Sequence, residues 1–284
     1  MVRAHICRIA RFRVSSRRSI RAFARIAAVA ALSSAVWTGE ATATVVNGGF
    51  ESGGAGWTGI GDAGIKQAGF GIAPDEGIRH ALMTTHHPVQ SESSEPILNG
   101  GAGPAVDVSS LEAFAGLSAG ALAPLGDEGP VQGAAVKQSF SVAAGDTLSF
   151  RFNFLSEEQS LGGEAANDFA FVSLLGADGV LAKLADIFTP ASAIINPGTG
   201  ADSHFDFATG YLTFAHTFAV GGFYTLAVGV LDDGDDDVGS ALLLDAVALS
   251  AATAVPEPGS LAILGAGLVA LAGVGATRRK RQNR

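Results

Sequence analysis

The sequence predicts an all-β fold, an antiparallel β-sandwich of jelly-roll-like character, flanked by an N-terminal signal helix and a C-terminal transmembrane helix. Three observations carry this reading. Residues 147–155 alternate strictly, with Leu148, Phe150, Phe152 and Phe154 on one face and Ser149, Arg151 and Asn153 on the other. That is the period of two required of a strand with one buried face. Short apolar runs recur between turn residues, in keeping with 38 glycines and 10 prolines in the 284-residue chain. Finally, each end of the chain carries an uncharged apolar stretch beside a cluster of arginines.

Residues 1–25 hold eight arginines and no acid, and an apolar stretch over 26–36 follows. Ala41-Thr42-Ala43 then fits a small-x-small cleavage site, so residues 1–43 read as a signal peptide with Thr44 as the mature start. Ser16-Arg17-Arg18 resembles a twin-arginine signal, but Arg21 stands where that pattern prefers an apolar residue, which favours the general secretory machinery. The single cysteine, Cys7, lies ahead of the apolar run and does not serve as a lipoprotein acceptor. The mature region therefore has no disulfide, no thiol nucleophile and no cysteine metal site.

The region 44–252 is expected to be the sandwich. Residues 44–50 read as a first strand and 78–85 as a second. Between 86 and 132 the chain is rich in Gly, Ala, Ser and Pro, and reads as long loops with a short helix near 111–117. Strands follow at 136–142 and 147–155 across a Gly145-Asp146 turn. Residues 168–175 and 180–186 read as a hairpin across Gly176-Ala177-Asp178-Gly179. Residues 211–220 and 223–231 read as another across Gly221-Gly222, and 241–250 closes the domain. This count of short strands and turns is that of a sandwich.

Residues 253–284 have three ordered parts. Val255-Pro256-Glu257-Pro258 cannot continue a helix or a central strand, because proline lacks an N–H and restricts its predecessor. Residues 260–276 are uncharged, at the short end of what spans a bilayer as a helix, and their glycines are tolerated there. Arg278, Arg279, Lys280, Arg281 and Arg284 form a basic stop on the cytoplasmic side. This order resembles the PEP-CTERM sorting signal of exported bacterial proteins. A tail of this kind also goes by the name of an ice-binding protein C-terminal domain, which describes the tail and implies no ice binding. The resemblance implies recognition by an exosortase, removal of the tail, and delivery to the cell surface or extracellular matrix of a Gram-negative bacterium. The precursor would be held transiently in the inner membrane through the C-terminal helix.

The formal net charge is −9, but both terminal segments are basic. Residues 44–255 hold five Lys and Arg against 25 Asp and Glu, a balance near −20. Such a surface excludes nucleic acid, favours solubility and attracts cations. Its length suits one large all-β domain with a sizeable core.

Five carboxylates lie within residues 232–237, directly before the last strand. Their repulsion is relieved by solvation, by raised pKa values or by a hard cation, so the segment reads as a solvated acidic turn or as a Ca2+ site using Asp232, Asp235 and Asp237. It is not an EF-hand, because Gly234 occupies the third position and Leu243 the twelfth. A second acidic group, Asn153, Glu157, Glu158, Asn167 and Asp168, surrounds the phenylalanine-rich strand and reads as a solvated loop or as a loop cation site using Glu157, Asn167 and Asp168. Neighbouring residues on an extended chain point to opposite faces, so Glu157 and Glu158 are poorly placed to act as a catalytic pair. A third pairing sets Glu51 beside Asp245, a carboxylate within an apolar strand that needs a partner. Together they are candidates for holding a structural cation.

Asn47-Gly48-Gly49-Phe50-Glu51, with Trp57 after it, resembles the opening of carbohydrate-binding jelly rolls with a galactose-binding-like fold. That resemblance implies a structural calcium held by Glu51 and Asp245. From Lys137 to Val247 the chain also resembles a recurrent PEP-CTERM ectodomain, through Asn153-Phe154-Leu155, Asn167-Asp168-Phe169 and the stretch 232–245. The related domains carry Asp where this chain has Gly239; Asp236 or Asp237 would have to substitute for that oxygen.

The histidines show no metal-ligand spacing, and no hydrolase or phosphate-binding motif is present. Trp57, Tyr211 and Tyr224 are the aromatic side chains that would offer a polar-edged sugar platform. The sequence therefore reads as a non-enzymatic structural or adhesive surface protein stabilised by calcium, associated with exopolysaccharide. The alternative is a glycan-binding module or glycan-acting enzyme.

Overall fold

The computed structural model describes residues 44–85, 95–96, 104–156, 167–189, 193–194, 205, 207–234 and 239–252. All of them belong to the compact unit Thr42–Arg284. The expected signal helix (1–43) and transmembrane helix (260–276) lie outside the described residues. Among those residues no helix is long and apolar enough to cross a membrane.

The elements in order are β1 (Thr58–Ile60), β2 (Asp62–Gln67), β3 (Arg79–Thr84), β4 (Glu95–Pro96), β5 (Val106–Asp107) and α1 (Val108–Ala115). Then come β6 (Pro130–Val142), β7 (Thr147–Ser156), β8 (Phe169–Leu175), β9 (Val180–Asp186) and β10 (Ala193–Ile194). The last are β11 (Phe207–Ala208), β12 (Leu212–Thr217), β13 (Gly222–Asp233) and β14 (Ser240–Ser250).

Two antiparallel sheets result. One runs β1-β6-β13-β8-β9, with β5 also on β6; the other runs β10-β11-β7-β14-β3-β2-β4, with β12 also on β7. Their inner faces share one core. The six-stranded sheet contributes Val136, Phe140, Val172 and Leu226, and the eight-stranded sheet contributes Phe150, Phe152, Leu242, Leu244 and Met83. The alternation read from residues 147–155 is realised here: Leu148, Phe150, Phe152 and Phe154 all enter this core.

Part of each outer face is covered as well. α1 lays Leu111 over Phe169, Phe171 and Leu231 on the six-stranded sheet. The helix starts where Asp107 accepts the Ser110 amide at 3.0 Å, and ends at Gly116 in the left-handed conformation (φ 74°). On the eight-stranded sheet, Phe70, Phe205 and Tyr211 pack over Leu82, Leu155 and Leu243.

Two expectations are corrected. Residues 44–50 form turns rather than a strand. Asn47 and Phe50 adopt positive φ (52° and 57°), and Asn47 Nδ2 donates to the Gly53 and Ala55 carbonyls, curling the segment around itself. It nevertheless lies against the last strand, through a bond from Val247 N to Gly48 O at 3.0 Å. The supposed hairpin of 211–220 and 223–231 does not form. β12 pairs with β7 in one sheet, whereas β13 pairs with β6 and β8 in the other. The Gly221-Gly222 turn is thus a corner between sheets. By contrast, β8 and β9 are the hairpin expected of them.

Candidate functional site

The antiparallel registers bring six strand ends to one end of the sandwich. Ser240 opposes Ser156 and Ala241 opposes Thr84, while Leu231 opposes both Phe169 and Gly133. The start of β6 and β8, the end of β3, β7 and β13, and the start of β14 therefore meet there. Gln132 ties the two sheets at this end, its Nε2 donating to Thr85 O at 3.3 Å and to Asp232 Oδ2 at 3.0 Å.

Asn167, Asp168 and Asp232 are gathered at this end and all are buried. Asp168 Oδ1 accepts the Asp233 amide at 3.0 Å, but its Oδ2 is buried without a hydrogen-bond partner. The same holds for Asn167 Oδ1, while Asn167 Nδ2 donates to Asp127 Oδ2. Burial first, and then the neighbouring Asp232 charge, push the Asp168 carboxyl up to about 8. A solvated turn does not fit these three residues. Two carboxylates and an amide oxygen inside the protein are hard oxygen donors, and the cost of the paired carboxylates is relieved by a proton or by a cation.

Asp233, one residue on, has a different job. Its oxygens accept the amides of Asp127 (2.6 Å), Glu128 (3.1 Å) and Gly129 (2.8 Å), fastening the loop before β6. A Cβ at Gly126 would stand 2.2 Å from Asp233 Oδ1, so a side chain there would displace the carboxylate that fastens the loop. The acidic run read from sequence as one unit thus divides by role. Glu157, Asp235 and Asp237 lie outside the described residues, as do Val255, Pro256, Glu257, Pro258 and the basic stop. Among the described residues, no group of three or more His, Cys, Asp and Glu side chains is arranged to hold a metal ion.

Glu51 and Asp245 are brought to a single loop. Glu51 Oε1 accepts the Ile78 and Arg79 amides at 2.8 and 3.0 Å, and Asp245 Oδ2 accepts the Glu76 amide at 2.9 Å. Asp245 Oδ1 takes the amide of Ala246 at 2.7 Å. Burial pushes the Asp245 carboxyl up to about 6. The need of a carboxylate in an apolar strand for a partner is met here by the backbone amides of Glu76 and Ala246.

A polar row on the outer face of the eight-stranded sheet escaped sequence reasoning. Lys66 opposes His80, Asp245 opposes Arg151, and Arg151 opposes Thr213 across neighbouring strands. His80 is fully buried, with Nδ1 2.7 Å from the Tyr211 hydroxyl, and burial lowers its pKa to about 4. Arg151 bonds Asp75 at 3.2 Å and the Tyr211 carbonyl at 2.9 Å. The one signal available was the register of Lys66, and β2 (Asp-Ala-Gly-Ile-Lys-Gln) has no apolar alternation to reveal it.

The expected aromatic platform is not formed. Trp57 is buried, donating Nε1 to Asn47 O at 3.1 Å and packing on Phe50. Tyr224 is fully buried with its hydroxyl on Val220 O at 2.8 Å and on Asp178, and Tyr211 is joined to His80.

Among solved structures, the chain is similar to TmCBM61 in complex with β-1,4-galactotriose, at 10% identity over 72% of this chain and 95% of that one, TM-score 0.37. It is also similar to the K3 cleaved adhesin domain of Lys-gingipain from Porphyromonas gingivalis, at 14% identity over 73% and 99%, TM-score 0.35. A third is the xylan-binding domain from CBM 22, at 9% identity over 72% and 93%, TM-score 0.28. The overlap is weak in each case. No curated protein matches the chain. Residues 254–280 match the PEP-CTERM protein-sorting motif, which implies exosortase processing and makes this a secreted, surface-sorted protein.

Proposed function

We propose that the sandwich is a non-catalytic structural or adhesive module of the cell surface or extracellular matrix, with Ca2+ closing its acidic end. The observation that carries this reading is the buried, unpartnered Asp168 Oδ2 and Asn167 Oδ1 beside Asp232. Buried polar atoms are almost always bonded, and two adjacent buried carboxylates repel one another. Protonation or a hard cation relieves both costs at once. Calcium matches the donor set, since it takes roughly 6–8 oxygens in flexible geometry. Asp168, Asp232 and Asn167 would hold it. In sequence, Ser156 is followed by Glu157 and Gly234 by Asp235, Asp236 and Asp237, carboxylates of the kind that would complete such a site. Calcium at this end would join β8, β13 and the loops between the sheets, which is a stabilising role and needs no reacting group.

Calorimetric calcium titration and thermal melts with and without chelator test this. A site present only in the folded state contributes about 2.7 kcal/mol at a hundred times Kd, or roughly 5–10 °C for a domain of this size. Asp168→Asn is expected to abolish that increment while raising the melt in chelator at neutral pH by about 1–3 kcal/mol, because the fold no longer has to protonate or bury a carboxylate that is ionised in the open chain. Absence of binding heat together with an unchanged melt would remove the cation from the proposal.

A further inference from the structure

The opposite end of the sandwich is built differently. Here β6 and β14 end and β7 and β13 begin: Ser250 opposes Thr147, and Gly222 opposes Val142. Gly145 N bonds Phe218 O at 2.7 Å, and Ala252 N bonds Asp146 Oδ1 at 3.0 Å, so the last described residue sits among these turns. Leu175, Val220 and Phe223 are exposed at this end, by 47%, 47% and 68%. Phe223 and Thr225 point to the same outer face of β13, and Thr225 opposes Leu175, which makes Phe223 and Leu175 diagonal neighbours. No Lys or Arg occurs in the turns at 143–146, 176–179 and 218–222. Their two acids are bonded: Asp146 accepts the Ala143 and Ala252 amides, and Asp178 accepts the Ala219 amide and the Tyr224 hydroxyl. His216 Nε2 stands 3.9 Å from Asp178.

Seven residues, 253–259, separate Ala252 from the uncharged run 260–276. Fully extended they reach at most about 25 Å. Once that run enters a membrane, this end of the sandwich is held within that distance of the lipid surface. A tether of this length makes contact intramolecular, with an effective concentration on the order of millimolar, so a small apolar patch suffices. The acidic end lies about 30 Å away, at the far ends of the ten-residue β7 and its neighbours.

We infer that Leu175, Val220 and Phe223 form a lipid-facing footing that seats the tail-bearing chain on its membrane and holds the acidic end outward. The footing depends on the apolar run entering a membrane and is independent of calcium.

The test uses the full chain in a Cys7→Ser background, carrying either Phe223→Cys or Val131→Cys, each labelled with an environment-sensitive fluorophore. Both sites are exposed, so both variants keep the fold, which an unchanged melt verifies. The chain is reconstituted in phosphatidylcholine vesicles containing a doxyl-labelled lipid. The label at 223 is expected to lose most of its emission to the quencher, and the label at 131, at the acidic end, to lose little. Adding Leu268→Asp and Leu271→Asp to the tail is expected to abolish the difference. Equal quenching at both sites, none at either in vesicles that carry the chain, failure of the chain to float with vesicles, or persistence without the apolar tail overturns the footing. So does concentration-dependent shielding at 223 without lipid, which would give the patch to a second copy.

Discussion

His80 shows how one buried side chain sets a pH limb of stability. It is fully buried and its pKa is lowered to about 4 by desolvation, against 6.5 in the open chain. A depressed histidine contributes stability that is present above pH 6.5 and is lost as pH falls through 4, because only the unfolded state takes up the proton in that window. The full loss is about 3 kcal/mol below pH 4. His80→Gln keeps an acceptor for the Tyr211 hydroxyl but cannot titrate, so the urea midpoint of the variant should fall less steeply than that of the parent between pH 6.5 and 4. Parallel curves would show that His80 is protonated in the fold. Asp168 and Asp245 act with the opposite sign, since their raised values contribute stability at low pH that is lost as pH rises. Comparing the variant with its parent isolates the histidine from both. None of this was legible from sequence, where His80 carried no spacing signal; its state depends on burial under groups distant in the chain, such as Tyr211, 131 residues away.

At the level of the element, β13 and its partners show which strands tolerate change. β13 lies between β6 and β8, and a Cβ at Gly133 of β6 would stand 2.0 Å from the Val230 carbonyl of β13. Gly133→Ala must push two paired backbones apart, and a loss of about 2–4 kcal/mol in chemical denaturation is expected. Gly69→Ala, where nothing lies within 4 Å, is expected to change stability by less than about 0.5 kcal/mol. Similar costs at the two sites would contradict the central placement of β13. The strands at 136–142, 147–155, 168–175, 180–186 and 241–250 were legible because each has a local signature of alternation or bounding turns. The β12–β13 corner was not, because Gly-Gly between two apolar runs looks the same whether the chain turns back or crosses to the other sheet. The difference lies in burial, which is alternating along β12 and nearly continuous along the second half of β13. Residues 44–50 resemble a strand in sequence for a related reason. Val45-Val46 favour a strand, but Asn47 gains more by bonding two carbonyls of the following turn.

For the whole molecule, the charge of the exported region separates two effects that look alike in a melt. Residues 44–255 carry 25 acids and five basic residues, so any salt stabilises the fold by screening self-repulsion, with a Debye length of about 8 Å at 0.15 M. A site at Asp168, Asp232 and Asn167 responds to something narrower: a hard divalent cation able to take many oxygens at once. Magnesium prefers octahedral geometry and keeps much of its water, so at equal ionic strength it should reproduce the screening and little more. The chelated protein is therefore expected to gain modestly and similarly from sodium chloride and from magnesium chloride, and to gain a further, saturable increment from calcium. That increment should be absent in Asp168→Asn, while the screening gain should remain, because one charge among 25 barely alters the long-range field. If sodium chloride alone reaches the calcium plateau, the acidic end is a diffuse field rather than a site. If magnesium matches calcium at equal concentration, the oxygens have the rigid geometry of the smaller ion.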